Sequence, residues 1–232
     1  KGSLWMIRTA AKALALLAAP LIAAVPAGAE VTESSPTHFV VRHAVDVDAS
    51  PEDAWLALIA PGDWWNDAHT WSADASNMTL TPQAGGCFCE KIPAEDGPDS
   101  FGLEGSVQHM MVVQAVPHKV LRMRGGLGPL QSEPVDGVMT ITLQPIEREE
   151  GEPAGTRITW EYVVGGTMRF KIEEISKAVD GVIGEQVLGL AKALGGPIDA
   201  VEEEGGDSFD SAFGAGTGEG EETPTTGIPE GR

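Results

Sequence analysis

Seven aliphatic residues near the end of the chain, Ile172, Ile175, Val179, Ile183, Val187, Leu190 and Leu194, recur at steps of three and four. That spacing puts them on one face of a long amphipathic helix, and Gly195-Gly196-Pro197 ends it. A helix with so long an apolar stripe needs a broad apolar surface to cover. The preceding text supplies one. From Asn77 onward it divides into strands at 77–81, 87–92, 104–114, 119–124, 136–144 and 156–164. The breaks are rich in Gly, Pro and acidic residues and leave no room for a crossover helix. Antiparallel hairpins and a closing helix predict an α+β domain, with the helix on the concave face of the sheet.

The start of that domain is equally marked. Phe39 to Val47 reads as a strand, with Val41, His43, Val45 and Val47 on one side. Ser50-Pro51-Glu52-Asp53 is a strong helix start: Ser50 suits the cap, Pro51 the first helical position, and Asp53 can answer the cap. Pro61-Gly62 stops this helix. A second short helical or looped piece, Asp63 to His69, carries Trp64 and Trp65, with Trp71 just beyond.

The flanks differ from this core. Met6-Ile7-Arg8 with Lys12 is basic, Ala13 to Val25 is apolar, and Ala27-Gly28-Ala29 precedes Glu30. This is the layout of a secretory signal peptide over 1–29, too short and proline-broken for a comfortable membrane span. The expectation is export to a periplasm or beyond, without stable membrane insertion after cleavage. Residues 30–37 read as a polar lead-in, 38–197 as the domain, and 198–232 as a disordered acidic tail. The 232 residues hold 15 Lys+Arg against 35 Asp+Glu, with no basic cluster, which argues against a nucleic-acid partner. The two cysteines, Cys87 and Cys89, alternate on one strand. They are expected to point the same way but too far apart for a relaxed disulfide, and two thiolates are too few for a closed zinc site. Two small side chains on a strand face are the plain reading; a redox or metal role is the alternative.

Several phrases in this order resemble the START/Bet v 1-like superfamily (SRPBCC), in its bacterial polyketide-cyclase/Hsp90-activator-like branch. They are Val45-Asp46-Val47-Asp48-Ala49-Ser50-Pro51-Glu52-Asp53-Ala54-Trp55, Gly85-Gly86-Cys87-Phe88, Gly105-Ser106-Val107 and Gly155-Thr156-Arg157-Ile158-Thr159-Trp160. The likeness covers roughly residues 38–195. It implies a helix-grip fold: a curved antiparallel sheet of about seven strands, two short helices, and a long C-terminal helix over a deep apolar cavity. The superfamily hosts carriers, hormone binders, cyclases and hydrolases, so the fold does not choose the function.

Strand alternation sketches the interior. Val107, His109, Met111 and Val113 form the apolar side of their strand; Leu121 and Met123, then Met139, Ile141 and Leu143, then Ile158, Trp160, Tyr162 and Val164 follow on the next three. Gln186 falls within the apolar stripe of the last helix, between Ile183 and Leu190. Inward methionines suit a site that adapts to an apolar ligand, and equally suit a packed core. The expected ligand-contacting set is Trp65, Trp71, His109, Met111, Met123, Met139, Trp160, Tyr162, Ile183 and Gln186. The Trp-rich segment could form a lid or rim over the mouth, or a small satellite core under the first helix. No nucleophile elbow, phosphate loop, metal motif or cofactor signature is present. The expectation is therefore an exported binder of a hydrophobic small molecule, lipid-like or aromatic, with no cofactor and no assigned protein partner. A cyclase- or hydrolase-type enzyme using His109 or Tyr162 as acid/base is the alternative, and an interaction module working through the tail or the Trp-rich segment is a third.

Overall fold

A computed structural model describes residues 30–94, 97, 102–146 and 155–198. The expected signal peptide, and the tail beyond Ile198, lie outside the described residues. Eight strands form one sheet: β1 (Glu30–Ser35), β2 (His38–Val47), β3 (Met78–Leu80), β4 (Cys87–Ile92), β5 (Gly105–Val116), β6 (Val120–Arg124), β7 (Val135–Ile146) and β8 (Gly155–Gly166). Their order is β1-β2-β8-β7-β6-β5-β4-β3, every pair antiparallel. With α1 (Pro51–Leu58) and α2 (Ile172–Ala193) this is the helix-grip architecture.

Residues 30–37 are a correction. Glu30–Ser35 pairs with His38 to Arg42 as an eighth strand, where a polar lead-in was expected. It is an edge strand, and edge strands tolerate polar side chains because only one side needs a partner. The start of α1 is as the sequence predicts: the Ser50 hydroxyl accepts from the Asp53 N–H at 3.1 Å and donates to its carboxylate at 2.6 Å. Between α1 and β3 the chain makes three short 3-10 turns, Pro61–Asp63, Asp67–His69 and Ala75–Asn77, in place of a second α-helix.

α2 packs chiefly on β2 and β1. Ile175, Ile183, Val187 and Leu190 are buried there against a core that includes Phe39, Val41 and Val164. Gly184 and Gly189 let the helix sit low. A Cβ on Gly184 would stand 2.8 Å from the His43 ring, and one on Gly189 would stand 2.7 Å from the Trp64 carbonyl oxygen. His43, expected on the apolar side of its strand, is satisfied by Asp180 of α2 at 2.8 Å.

β7, β8 and β2 keep unbroken register over ten to twelve pairs. β4 and β5 do not. Met110 faces Phe88 and Gln108 faces Cys89, which leaves His109 as an extra residue on β5. A second slip at Val113 follows against β6. Each bulge reverses the inward phase of the strand. Met110 and Val112 are therefore buried, whereas Met111 and Val113 face outward, the reverse of strict alternation. Strand β4 is kinked at the same place. The Cα atoms of Cys87 and Cys89 are 5.3 Å apart, against about 6.6 Å for two steps of a regular strand. That is within disulfide range, and the two cysteines are bonded to each other. The expectation of two unlinked side chains is thus corrected: it assumed a straight strand.

Candidate functional site

A small apolar void of about 20 Å³, partly open to the surface, lies between the sheet and the segment that follows α1. Its floor is Met110 of β5, Leu121 and Met123 of β6, Met139 and Ile141 of β7, and Trp160 of β8. Leu58, Pro61, Trp64 and Trp65 close it from the α1 side, and Leu80, Phe88 and Leu127 close its rim. The aromatic residues interlock: Trp64 meets Trp65 at 5.6 Å and Trp160 edge-on at 6.0 Å, and Trp65 meets Phe88 at 5.3 Å. A void of this size holds at most one water; ligand sites are usually several hundred Å³. The interior as it stands has no room for a ligand of that size.

The roof, residues 61–77, is tied down by polar contacts at two places. Gln186 of α2, fully buried, accepts from the Asn66 N–H at 3.0 Å and donates to Nδ1 of His69 at 2.9 Å. Beside it, the Asn66 amide donates to Glu185 at 2.9 Å. On the other side Glu90 of β4, also buried, accepts from the N–H groups of Trp71 (3.1 Å) and Ser72 (2.5 Å) and bonds Nε2 of His109 at 2.9 Å. Burial alone would raise the Glu90 carboxyl, but these donors together hold it below its ordinary range. Burial pushes His109 down, more than the neighbouring carboxylate lifts it. Glu90 is thus a carboxylate and His109 a neutral imidazole near neutral pH.

Of the residues expected at the site, Trp65, Met123, Met139 and Trp160 line the void. The other six do not. Met111 and Trp71 are corrections, 44% and 57% exposed. Met111 follows the first bulge; Trp71 has its backbone held by Glu90 while its ring faces solvent. His109 is buried but bonded to Glu90. Tyr162 is fully buried, yet its hydroxyl donates to Gly125 O at 3.0 Å and accepts from the Leu127 N–H at 3.1 Å. Ile183 packs in the α2 core and Gln186 latches the roof. Burial drives the Tyr162 phenol above its usual range, and both sides of its hydroxyl are already spent on the 125–127 turn. Neither His109 nor Tyr162, the alternative acid/base candidates, lines the void, and each polar tip is bonded to the protein. Asp67 and His69 of the roof are also committed: the Asp67 carboxylate accepts from the Ala75 N–H at 2.7 Å, and His69 accepts from Gln186.

Trp64, Phe88, Met110 and Glu90 belong to this site and fall outside the expected set. Glu90 carried a signal: it shares the inward phase of Phe88, two residues away, where a carboxylate is out of place unless it has partners.

One atom in the cluster has no partner. The Trp160 side chain is 2% exposed, and its Nε1–H is the single buried side-chain nitrogen or oxygen without a hydrogen bond among the described residues. The neighbouring indoles are satisfied, Trp64 by Ala57 O at 2.8 Å and Trp65 by His69 O at 3.1 Å.

No family model matches the chain, and no curated protein matches it in sequence. Solved structures similar to it include a Staphylococcus aureus protein of unknown function (16% identity, TM-score 0.44, covering 68% of this chain and 94% of that one). Others are CalU16 from Micromonospora echinospora (13%, 0.38, 72% and 84%) and a point mutant of norcoclaurine synthase from Thalictrum in complex with a transition-state analogue (13%, 0.42, 70% and 97%). Each likeness is remote, and the fold rests on the strand order and helix placement described above.

Proposed function

We propose that the chain binds a hydrophobic small molecule between the sheet and the roof formed by residues 61–77, next to α2. The observation that supports this best is the void itself. Every side chain around it is apolar or an indole, while the roof above it is held by a few hydrogen bonds from Gln186 and Glu90. Hydrogen bonds of this kind contribute about 1 kcal/mol each, more where a charge is involved, so they can open without unmaking the core. Met110, Met123 and Met139 are unbranched and change rotamer readily, which lets the void grow around a ring or short chain. The reading includes export: the pattern over residues 6–29 supports it, and the Cys87–Cys89 bond suits an oxidising compartment.

Native mass spectrometry of gently purified protein, with titration of fluorescent apolar probes, tests the binding. The expected result is a co-purifying small molecule or saturable probe uptake that changes tryptophan emission. An interior that stays empty, takes up no probe, and exchanges its roof amides as slowly as β8 would overturn the proposal.

A further inference from the structure

Resting on that binding reading, we infer that Trp160 is a ligand anchor: its indole N–H donates to an oxygen of the bound molecule. The site then selects small apolar molecules carrying one carbonyl, ether or hydroxyl oxygen over bare hydrocarbons. Buried donors in native proteins nearly always have a partner, and leaving one unpaired destabilises the fold. Among the described residues the other buried polar side chains are paired, including the two indoles next to Trp160. The exception lies on a residue that lines the void. Its edge-on contact with Trp64 is a ring contact and does not replace a hydrogen bond.

Water is a poor occupant. A buried water needs two to four polar partners, and the side chains around the void contain no oxygen and no uncommitted N–H besides Trp160. A ligand oxygen needs only one donor, because the rest of the ligand is held by apolar contact. The neighbours of Trp160 across the sheet, His43 and Ile141, do not compete: His43 is bonded to Asp180 and Ile141 offers no acceptor side chain.

The test uses the matched pair 1-indanone and indane, which share a bicyclic skeleton and differ by the carbonyl. Affinities are measured for the full chain and for Trp160→Phe. The expected result is that the preference for 1-indanone relative to indane falls about tenfold in the variant, the worth of one hydrogen bond. Taking the ratio removes the effect of the smaller ring on both ligands. Should Trp160→Phe fail to fold, the wild-type indole N–H resonance of Trp160 gives the same answer: 1-indanone moves it downfield and indane does not. An unchanged ratio, or an indole resonance that ignores the carbonyl while both compounds bind, overturns the anchor and leaves the binding reading standing. If neither compound nor any apolar probe binds, it is the binding reading that falls.

Discussion

The two halves of the sheet are built by different rules. On the β7-β8-β2 side, strands run in register over ten pairs or more and α2 lies directly on β2. On the β4-β5 side, two bulges interrupt the ladders, a disulfide spans Phe88, and the cover is a string of 3-10 turns. Regular pairing with helix cover makes a core with no spare space. Where the loop replaces the helix as cover lie the void, floored by β5 and β6 together with Met139, Ile141 and Trp160 of β7 and β8, its aromatic rim, and the buried Glu90–His109 pair. The difference is one of cover: on one side a helix packs on a regular ladder, and on the other polar contacts from Gln186 and Glu90 hold a string of turns over a bulged one.

The sharpest way to break this comparison is at adjacent methionines. Met110→Asp buries an unpaired charge and should cost more than about 4 kcal/mol, or prevent folding, whereas Met111→Asp should stay within about 0.5 kcal/mol; urea denaturation distinguishes them. The opposite ranking would restore strict alternation and remove the bulge. Next, one residue type can be compared across the halves. Phe39→Ala should cost about 4–5 kcal/mol, and Phe88→Ala about 3 kcal/mol, because the roof beside Phe88 can settle into the space. Hydrogen exchange should quicken in the roof only for the second, and equal costs with equal exchange would erase the distinction.

Glu90→Gln weakens three charge-assisted bonds and should cost about 2 kcal/mol. Faster exchange at the Trp71 and Ser72 amides, with β8 unchanged, would locate the loss at the latch. Acid should act at the same place. His109 is pushed below its ordinary 6.5, so the unfolded chain takes up a proton there before the fold does, and stability falls as pH drops below that value. Glu90, held below its ordinary 4.5, contributes fully above that pH and loses its contribution as pH falls through its folded value. A denaturation midpoint flat from pH 7 to 4.5 would contradict the His109 effect, and one that falls no further below pH 4.5 would contradict the Glu90 effect. The smallest effect is expected from replacing Cys87 and Cys89 together by Ser. Closing so short a loop removes little chain entropy, worth about 1.5 kcal/mol. A much larger loss would mean that the bond shapes the bulge itself.

The regular half was readable from residue order alone. The Ser50 cap, the inward phases of β6, β7 and β8, and the stripe from Ile175 to Leu190 follow from local periodicity and are as the residues imply. The bulged half was not. A bulge adds one residue without changing composition, so nothing in Gln108-His109-Met110-Met111 announces where the phase turns. The same blindness misplaced Met111 and separated Cys87 from Cys89. Tyr162 and Gln186 were placed inside correctly, but their partners, the 125–127 turn and the backbone at Asn66, are 35 or more residues distant. Which polar tip is spent on the protein and which is left over is a tertiary fact, and Trp160 Nε1 emerges only from it.

The bond between Cys87 and Cys89 makes the covalent formula of the protein depend on its history. Prepared under reducing conditions, the chain carries two more hydrogen atoms and two nucleophilic thiols beside Phe88, the residue against which Trp65 rests. Oxidised and reduced preparations are therefore different substances in the bulged half, beside the void. A thiol count on the intact chain belongs before any ligand survey, since a difference in uptake between two samples is a difference between two molecules until their sulfurs are shown to match.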